Sequence, residues 1–240
     1  MCLIFSKFLK LKSPFMLYVH SYKRMSSAVK KPFTILVEGN IGSGKSTFLN
    51  NFSNNNNVLT IYEPINEWKN VGDVDLMRSF YEDPKKWAFT FQSHIMLTMM
   101  KAHETATSKS VKIMERSIYS GRYVFIQNLA DMNLITKPEF AILDEWYNYL
   151  VTSGTFSVDL IVYLKTDPEV AFSRLKNRGR IAEDRLTIDY LRKLHKCYED
   201  WLFGRNGFIC PAPVMCLNAN NDIDTVRHEY NYYENQMNFC

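Results

Sequence analysis

The residues Gly39-Asn40-Ile41-Gly42-Ser43-Gly44-Lys45-Ser46, with Thr47 next in line, follow the spacing GxxxxGK[ST]. Each type has a task in holding phosphate. The glycines let main-chain N–H groups turn inward around phosphate oxygens, and the N-terminus of a following helix adds positive potential. The lysine reaches β- and γ-phosphates, and the serine hydroxyl can ligate Mg²⁺. The pattern stands directly after a β-rich run, Phe33–Glu38, and opens a helical one. That setting separates a phosphate loop from a chance glycine-rich turn. A nucleoside triphosphate is expected here. GTPase, motor, ATPase and small-molecule kinase all remain open on this motif alone, although the chain has no NKxD string of the kind a Ras-like guanine reader carries.

Further groups could do chemistry beside the loop. Glu63-Pro64-Ile65-Asn66-Glu67-Trp68 follows a second apolar run, and Glu115-Arg116-Ser117 ends a third. Either acid, taken alone, is as readily a helix cap or an ion-pair partner as a catalytic group. Gln92 is a lone amide on an otherwise apolar helical face, because Phe91, Ile95 and Met99 lie at −1, +3 and +7 from it. Such an amide needs partners when buried, from neighbouring backbone or from a ligand edge with a donor and an acceptor. Arg174, Arg178 and Arg180 form a basic run before Gly179-Arg180-Ile181-Ala182-Glu183, which on pattern alone reads as a solvated helix face.

The elements needed to position these groups are legible as alternating short apolar runs and amphipathic stretches. Strands are expected at Phe33–Glu38, Val58–Tyr62, Val111–Glu115, Leu160–Leu164 and Pro213–Leu217. Helices are expected at Lys45–Phe52, Val74–Tyr81, Lys85–Thr105, Ile118–Met132, Pro138–Thr152, Pro168–Arg178, Ile188–Phe203 and Asp222–Gln236. Five strands with helices between them predict an α/β, three-layer P-loop sandwich. Its five-stranded parallel sheet is flanked by helices, with ligands beyond the carboxyl ends of the strands.

Of the 240 residues, 29 are Lys or Arg and 25 are Asp or Glu, a net charge of +4. Seven of the basic residues precede Glu38, where there is no acid, so positions 38–240 carry 22 basic and 25 acidic residues. This slightly acidic body is not the electrostatic footprint of a nucleic-acid binder. The apolar stretch Ser13–Tyr22 is too short to cross a bilayer, which takes about 20 residues. The five cysteines form no CxxC pair, which argues against a zinc site or a disulfide framework. Residues 1–32 are basic, acid-free and rich in hydroxyl and apolar residues, the composition of a mitochondrial targeting segment. A basic tail on a cytoplasmic protein, or translation from Met25, is the alternative. Residues 33–240 are expected to form one domain.

Taken together and in this order, the phosphate loop, Glu63–Trp68, Tyr81-Glu82-Asp83-Pro84-Lys85-Lys86-Trp87 with Phe91-Gln92-Ser93, Glu115–Tyr123 and the arginine-rich turn resemble the deoxynucleoside kinase family, particularly its insect multisubstrate and mitochondrial thymidine kinase branches. The resemblance runs from about Phe33 to Leu217. It implies ATP-dependent phosphorylation of a deoxynucleoside 5′-hydroxyl, with Glu63 as catalytic base, Lys45 and Arg116 on phosphate and substrate oxygens, and Ser46 and Glu115 on Mg²⁺. It places Trp68, Phe91, Gln92, Ile95, Met99, Gly121 and Phe125 around the base, and Tyr81 and Glu183 at the sugar 3′-hydroxyl. Arg174, Arg178 and Arg180 become a lid over ATP, although the lid here has Ala182-Glu183 where two adjacent acids are usual. A homodimer through the helix near Pro138–Thr152 and feedback by a deoxynucleoside triphosphate are also implied.

Family members that prefer deoxycytidine and purines carry Arg and Asp at the positions of Met99 and Gly121. The uncharged pair here favours thymidine and deoxycytidine, with room for purine deoxynucleosides. Two alternatives come from other classes. A non-catalytic relative, such as an accessory subunit of respiratory complex I, is expected to lack Lys45, Ser46, Glu63 and Glu115, all of which are present. A nucleoside monophosphate kinase needs a cationic acceptor-phosphate site in place of the amide-and-aromatic set.

Overall fold

The computed structural model describes residues 31–153, 157–180 and 183–221. The expected leader and the helix expected at Asp222–Gln236 lie outside them, apart from residues 31 and 32 of the leader. Five strands, β1 (Phe33–Glu38), β2 (Val58–Ile61), β3 (Val111–Glu115), β4 (Leu160–Lys165) and β5 (Val214–Asn218), form one sheet in the order β2-β3-β1-β4-β5. Every pairing is parallel. Strand side chains alternate between the two faces. Ile35, Val37, Ile113, Val162 and Leu164 pack on one side with Phe48, Leu49 and Phe52, while Leu36, Met114, Ile161 and Tyr163 join the larger core opposite. Burial on both faces explains why these strands read as continuous apolar runs.

The helices are α1 (Lys45–Asn50), α2 (Ile65–Trp68), α3 (Leu76–Glu82), α4 (Pro84–Glu104), α5 (Ile118–Ser120), α6 (Gln127–Asp131), α7 (Lys137–Thr152), α8 (Pro168–Arg178) and α9 (Ile188–Leu202). Their starts follow capping chemistry. Asp75, Asp83 and Thr187 accept from the N–H groups of Arg78, Lys86 and Tyr190, and Thr136 with Glu139 forms a reciprocal box at α7. Gly179, left-handed at φ 62°, ends α8.

The element order of the expectation holds, with three corrections. The segment Ile118–Met132 is not one regular helix, because Gly121–Ile126 between α5 and α6 is a π-helical turn. The one-turn α2 was not expected. Helix α3 starts at Leu76, behind its Asp75 cap, and not at Val74. The chain moves outward from β1 to β2 past β3 and later returns to β4 on the other side. This reversal leaves a crevice beyond the carboxyl ends of β1 and β3, where ligands settle in such sheets.

Candidate active site

The loop after β1 turns tightly because glycine permits it. Gly42 has φ 83°, and a Cβ there would stand 2.3 Å from the Ala171 carbonyl oxygen, so the loop rests directly on the first turn of α8. The Asn40 side chain is spent on structure, with Nδ2 donating to the Leu191 carbonyl at 2.9 Å and Oδ1 accepting from the Ile41 N–H at 2.8 Å. Gly39, Gly44 and Ser43 complete the turn, and Thr47 follows Ser46 in α1. Lys45 Nζ donates to the carbonyls of Gly39 at 3.2 Å and Asn40 at 2.9 Å. Burial, reinforced by the nearby Arg116 charge, pulls its pKa down to about 8. Ser43 Oγ is buried and has no partner among the described residues, as befits a donor waiting for a phosphate oxygen.

Ser46 Oγ donates to both carboxylate oxygens of Glu115 at 3.0 Å. Burial, then the neighbouring Glu63 charge, push the Glu115 pKa up. Among the described residues no group of three or more His, Cys, Asp and Glu side chains is placed to hold a metal. One hydroxyl and one carboxylate beside a phosphate cradle are, however, the sparse oxygen set that suits Mg²⁺, which keeps waters and takes remaining ligands from phosphates.

From the loop a cavity runs beneath α4. It brings together Ile41, Gly42, Lys45, Ser46, Glu63, Trp68, Tyr81, Phe91, Gln92, Ile95, Met99, Glu115, Arg116, Gly121, Phe125, Arg178, Arg180 and Glu183. At its phosphate end Arg116 Nη1 pairs with Glu63 Oε1 at 2.7 Å. The guanidinium also lies over Phe125, 4.7 Å from the ring centre. Burial opposes the Arg116 charge, but the carboxylates of Glu63, Glu115 and Glu38 outweigh it and raise its pKa.

The far end is aromatic and rigid. Trp68 Nε1 donates to Thr98 Oγ1 at 2.9 Å, and its ring meets Phe91 edge-on at 5.9 Å; Phe91 in turn contacts Phe80 at 4.9 Å. Gln92, only 2% exposed, is set among these rings with Oε1 buried and unpartnered. A smaller apolar recess, between Gln92, Ile95, Met96, Met99, Ile118, Gly121 and Ile126, adjoins it. Burial also pushes the Tyr81 phenol up. At the rim Glu183, itself buried, pairs with Arg178 and, at 3.4 Å, with Arg180.

Arg174 stands apart from its two neighbours in the run. Its guanidinium donates to the carbonyls of Ala219 at 2.7 Å, Asn220 at 3.2 Å and Asn221 at 2.6 Å, beside a separate hollow lined by Glu169, Val170 and Ser173. The four-residue step from Arg174 to Arg178 keeps the two on one helix face but sets them a full turn apart. Sequence reasoning missed Ile65, Met77, Phe80, Ser117, Ser120 and Tyr190 as cavity residues. Ser117 and Ser120 flank motifs already recognised and were within reach; Tyr190 carries no local signal, because α9 arrives from the far end of the chain.

A profile of the deoxynucleoside kinase family matches residues 35–240. The chain belongs to the deoxynucleoside kinase family. Human mitochondrial thymidine kinase 2 is 38% identical to the kinase over 195 residues, 81% of this chain and 74% of the relative. Mouse deoxycytidine kinase is 31% identical over 225 residues, covering 81% and 86%, and the mitochondrial deoxyguanosine kinase of Xenopus laevis is 32% identical over 216, covering 78% and 82%. The kinase is thus an enzyme that takes its phosphoryl group from ATP, and its phosphate loop and cavity lie together at the carboxyl edge of the sheet.

Proposed function

We propose that the kinase transfers the γ-phosphoryl group of ATP to the 5′-hydroxyl of thymidine and deoxycytidine, admits purine deoxynucleosides more weakly, and serves salvage of DNA precursors. The observation that carries this reading is the buried Gln92 side chain, its Oε1 without a partner among the described residues, at the aromatic end of a cavity whose other end holds Lys45, Glu63 and Arg116. An amide offers one donor and one acceptor, which match N3–H and O4 of thymine or, flipped, N3 and the N4 amine of cytosine. Phe91, Trp68 and Phe125 supply faces for the base, where stacking is worth about 1–3 kcal/mol. Tyr81 and Glu183 take the sugar 3′-hydroxyl, and Tyr81 fills the room a 2′-hydroxyl needs.

In this reading Glu63 accepts the 5′-hydroxyl proton as the oxygen attacks, while Arg116 orients that carboxylate and meets the charge that spreads over the phosphoryl oxygens. Lys45, released from the loop carbonyls, lies against the β- and γ-phosphates. Ser46 and Glu115 would hold Mg²⁺, which neutralises phosphate charge when bound. Arg178 and Arg180 close over the phosphates, whereas Arg174, expected in the same lid, is held by the carbonyls of Ala219, Asn220 and Asn221. Glu183 is already engaged by both of these arginines in the structure. For residues 1–32 we propose an address to the mitochondrion, supported by their composition and by the mitochondrial name of the human relative.

The test is a panel of thymidine, deoxycytidine, deoxyadenosine, deoxyguanosine and thymidylate with ATP and Mg²⁺. Turnover of thymidine and deoxycytidine ahead of the purines is expected. Phosphorylation of thymidylate and not thymidine would instead establish a monophosphate kinase, and no turnover of any of them a non-catalytic relative.

A further inference from the structure

Arg116 holds a backbone conformation that side chains other than glycine rarely take, with φ 61°. Left-handed backbone at such a residue is strained and persists only where its surroundings enforce it. Two bonds from β1 do so here. The Arg116 N–H donates to the Val37 carbonyl at 2.9 Å, and the next hydroxyl, Ser117 Oγ, donates to Glu38 Oε1 at 2.6 Å. Glu38 Oε2 accepts from the Tyr198 hydroxyl of α9 at 3.3 Å. Ser117 also caps α5, so its position sets where the chain leaves the turn.

Glu38 is 0% exposed and ends the strand that feeds the phosphate loop. A carboxyl group there is expensive, since burial pushes its pKa up to about 7 in spite of the Ser117 and Ser120 hydroxyls and the Arg116 and Lys45 charges. An apolar residue would fill a strand interior at no such cost. The acid ties the loop strand, α9 and the Arg116 turn together at one point. Glu38 is not among the residues that line the cavity.

We propose that Glu38 is a positioning residue for phosphoryl transfer: through the Ser117 hydroxyl it fixes the left-handed turn at Arg116, and with it the direction of the guanidinium. The inference rests on the reading of Arg116 as a contact to phosphate and substrate oxygens. Trp68, Phe91 and Gln92 of the base-binding wall stand on α2 and α4, which have no bond to the Glu38 carboxylate among the described residues, so loosening this tie should reach turnover and largely spare nucleoside binding. Misplacement of a reacting group by about 1 Å can cost about 10²-fold.

The full-length kinase is compared with Glu38→Ala, Glu38→Gln, Ser117→Ala, the double variant Glu38→Ala/Ser117→Ala and Arg116→Ala by steady-state kinetics with thymidine and ATP, alongside thermal melting. Glu38→Ala and Ser117→Ala should each lower kcat by about 10–100-fold while thymidine KM stays within about threefold. The double variant should be no worse than either single one, because both cut the same tie. Glu38→Gln, which still accepts from Ser117, should recover most of the turnover. Should Glu38→Ala fail to fold, Ser117→Ala cuts the same tie, together with the α5 cap that its hydroxyl makes to the Ser120 N–H. Wild-type kcat in folded Ser117→Ala or Glu38→Ala, with Arg116→Ala inactive, overturns the positioning role alone. Wild-type kcat in Arg116→Ala overturns the reading of Arg116 and the proposal with it.

Discussion

Glu115 ends β3 and Glu63 lies just past the end of β2; both reach the same cavity, and their partners divide the labour between them. Glu115 is engaged by the Ser46 hydroxyl, whereas Glu63 meets only a guanidinium that must itself turn toward phosphate. Removing the base and keeping the shape should therefore leave ATP binding intact. Glu63→Gln is expected to retain ATP affinity and lose about 10²–10⁴-fold in kcat, checked by titration calorimetry and initial rates; near-wild-type turnover would mean that another group takes the proton. Glu38 makes a prediction of different character. Its folded pKa, about 7, lies above the ordinary carboxyl value of 4.5, so the neutral form is the one favoured by folding. The stability it permits is full below about pH 4.5 and is lost as pH rises through 7. Glu38→Gln cannot ionise, so its stability relative to wild type should climb by roughly 3 kcal/mol between pH 4.5 and pH 8. Urea unfolding at both pH values measures this, and an unchanged difference would show that Glu38 does not titrate in that window. Residue types announced much of this site: a phosphate loop has a fixed spacing, and a lone amide on an apolar face betrays Gln92. The destination of Arg174 had no such signal, because carbonyls at 219–221 are brought to it only by the β5 crossover.

The strands were legible to within about a residue at each end, most sharply the central β1, β3 and β4, whose burial on both faces leaves an apolar run with polar limits. The expected helix starts were as legible, except that α3 begins at Leu76 and not Val74, because its Asp75 cap lies outside the amphipathic pattern that marks helix interiors. The π-helical turn at Gly121–Ile126 was invisible for a physical reason: a shift of hydrogen-bond register has no composition of its own. That turn bears on specificity. It begins at Gly121, whose backbone is ordinary right-handed helix and where a Cβ would meet nothing within 4 Å. A side chain there would extend into space beside Gln92 without moving the backbone, and Met99 faces the same recess from α4. Gly121→Asp combined with Met99→Arg should therefore fold normally and narrow the base end with an ion pair. The ratio of kcat/KM for thymidine to that for deoxycytidine or deoxyadenosine is expected to fall by at least about tenfold, on the scale of one well-placed polar contact. An unchanged ratio in a normally melting variant would remove Met99 and Gly121 from the specificity pocket.

At the scale of the whole molecule, the charge of +4 divides between seven cations ahead of Glu38 and a slightly acidic remainder, of which Lys45, Arg116, Arg178 and Arg180 gather at the cavity. Among the described residues no helix is long and apolar enough to cross a membrane. Helix α7 nonetheless presents Ile142, Trp146 and Tyr149 to solvent, the latter two 56% and 67% exposed, and their spacing of four and three puts them on one face. Leu97 of α4 is exposed too, and α4 packs against α7. The same helices bury Leu143, Tyr147 and Leu150 inward, so α7 is apolar on two sides. A helix of that kind is stable when its outer face is covered, and a second copy brings an identical, self-complementary face through a two-fold axis. We therefore expect a homodimer built on α4 and α7. Trp146→Glu with Tyr149→Glu places buried, unpaired charges at the centre of such an interface and should convert the dimer to a monomer in light scattering. Its cavity, formed within one chain, should keep its thymidine KM. A wild-type protein that is monomeric at micromolar concentration would show that α7 is covered by something else.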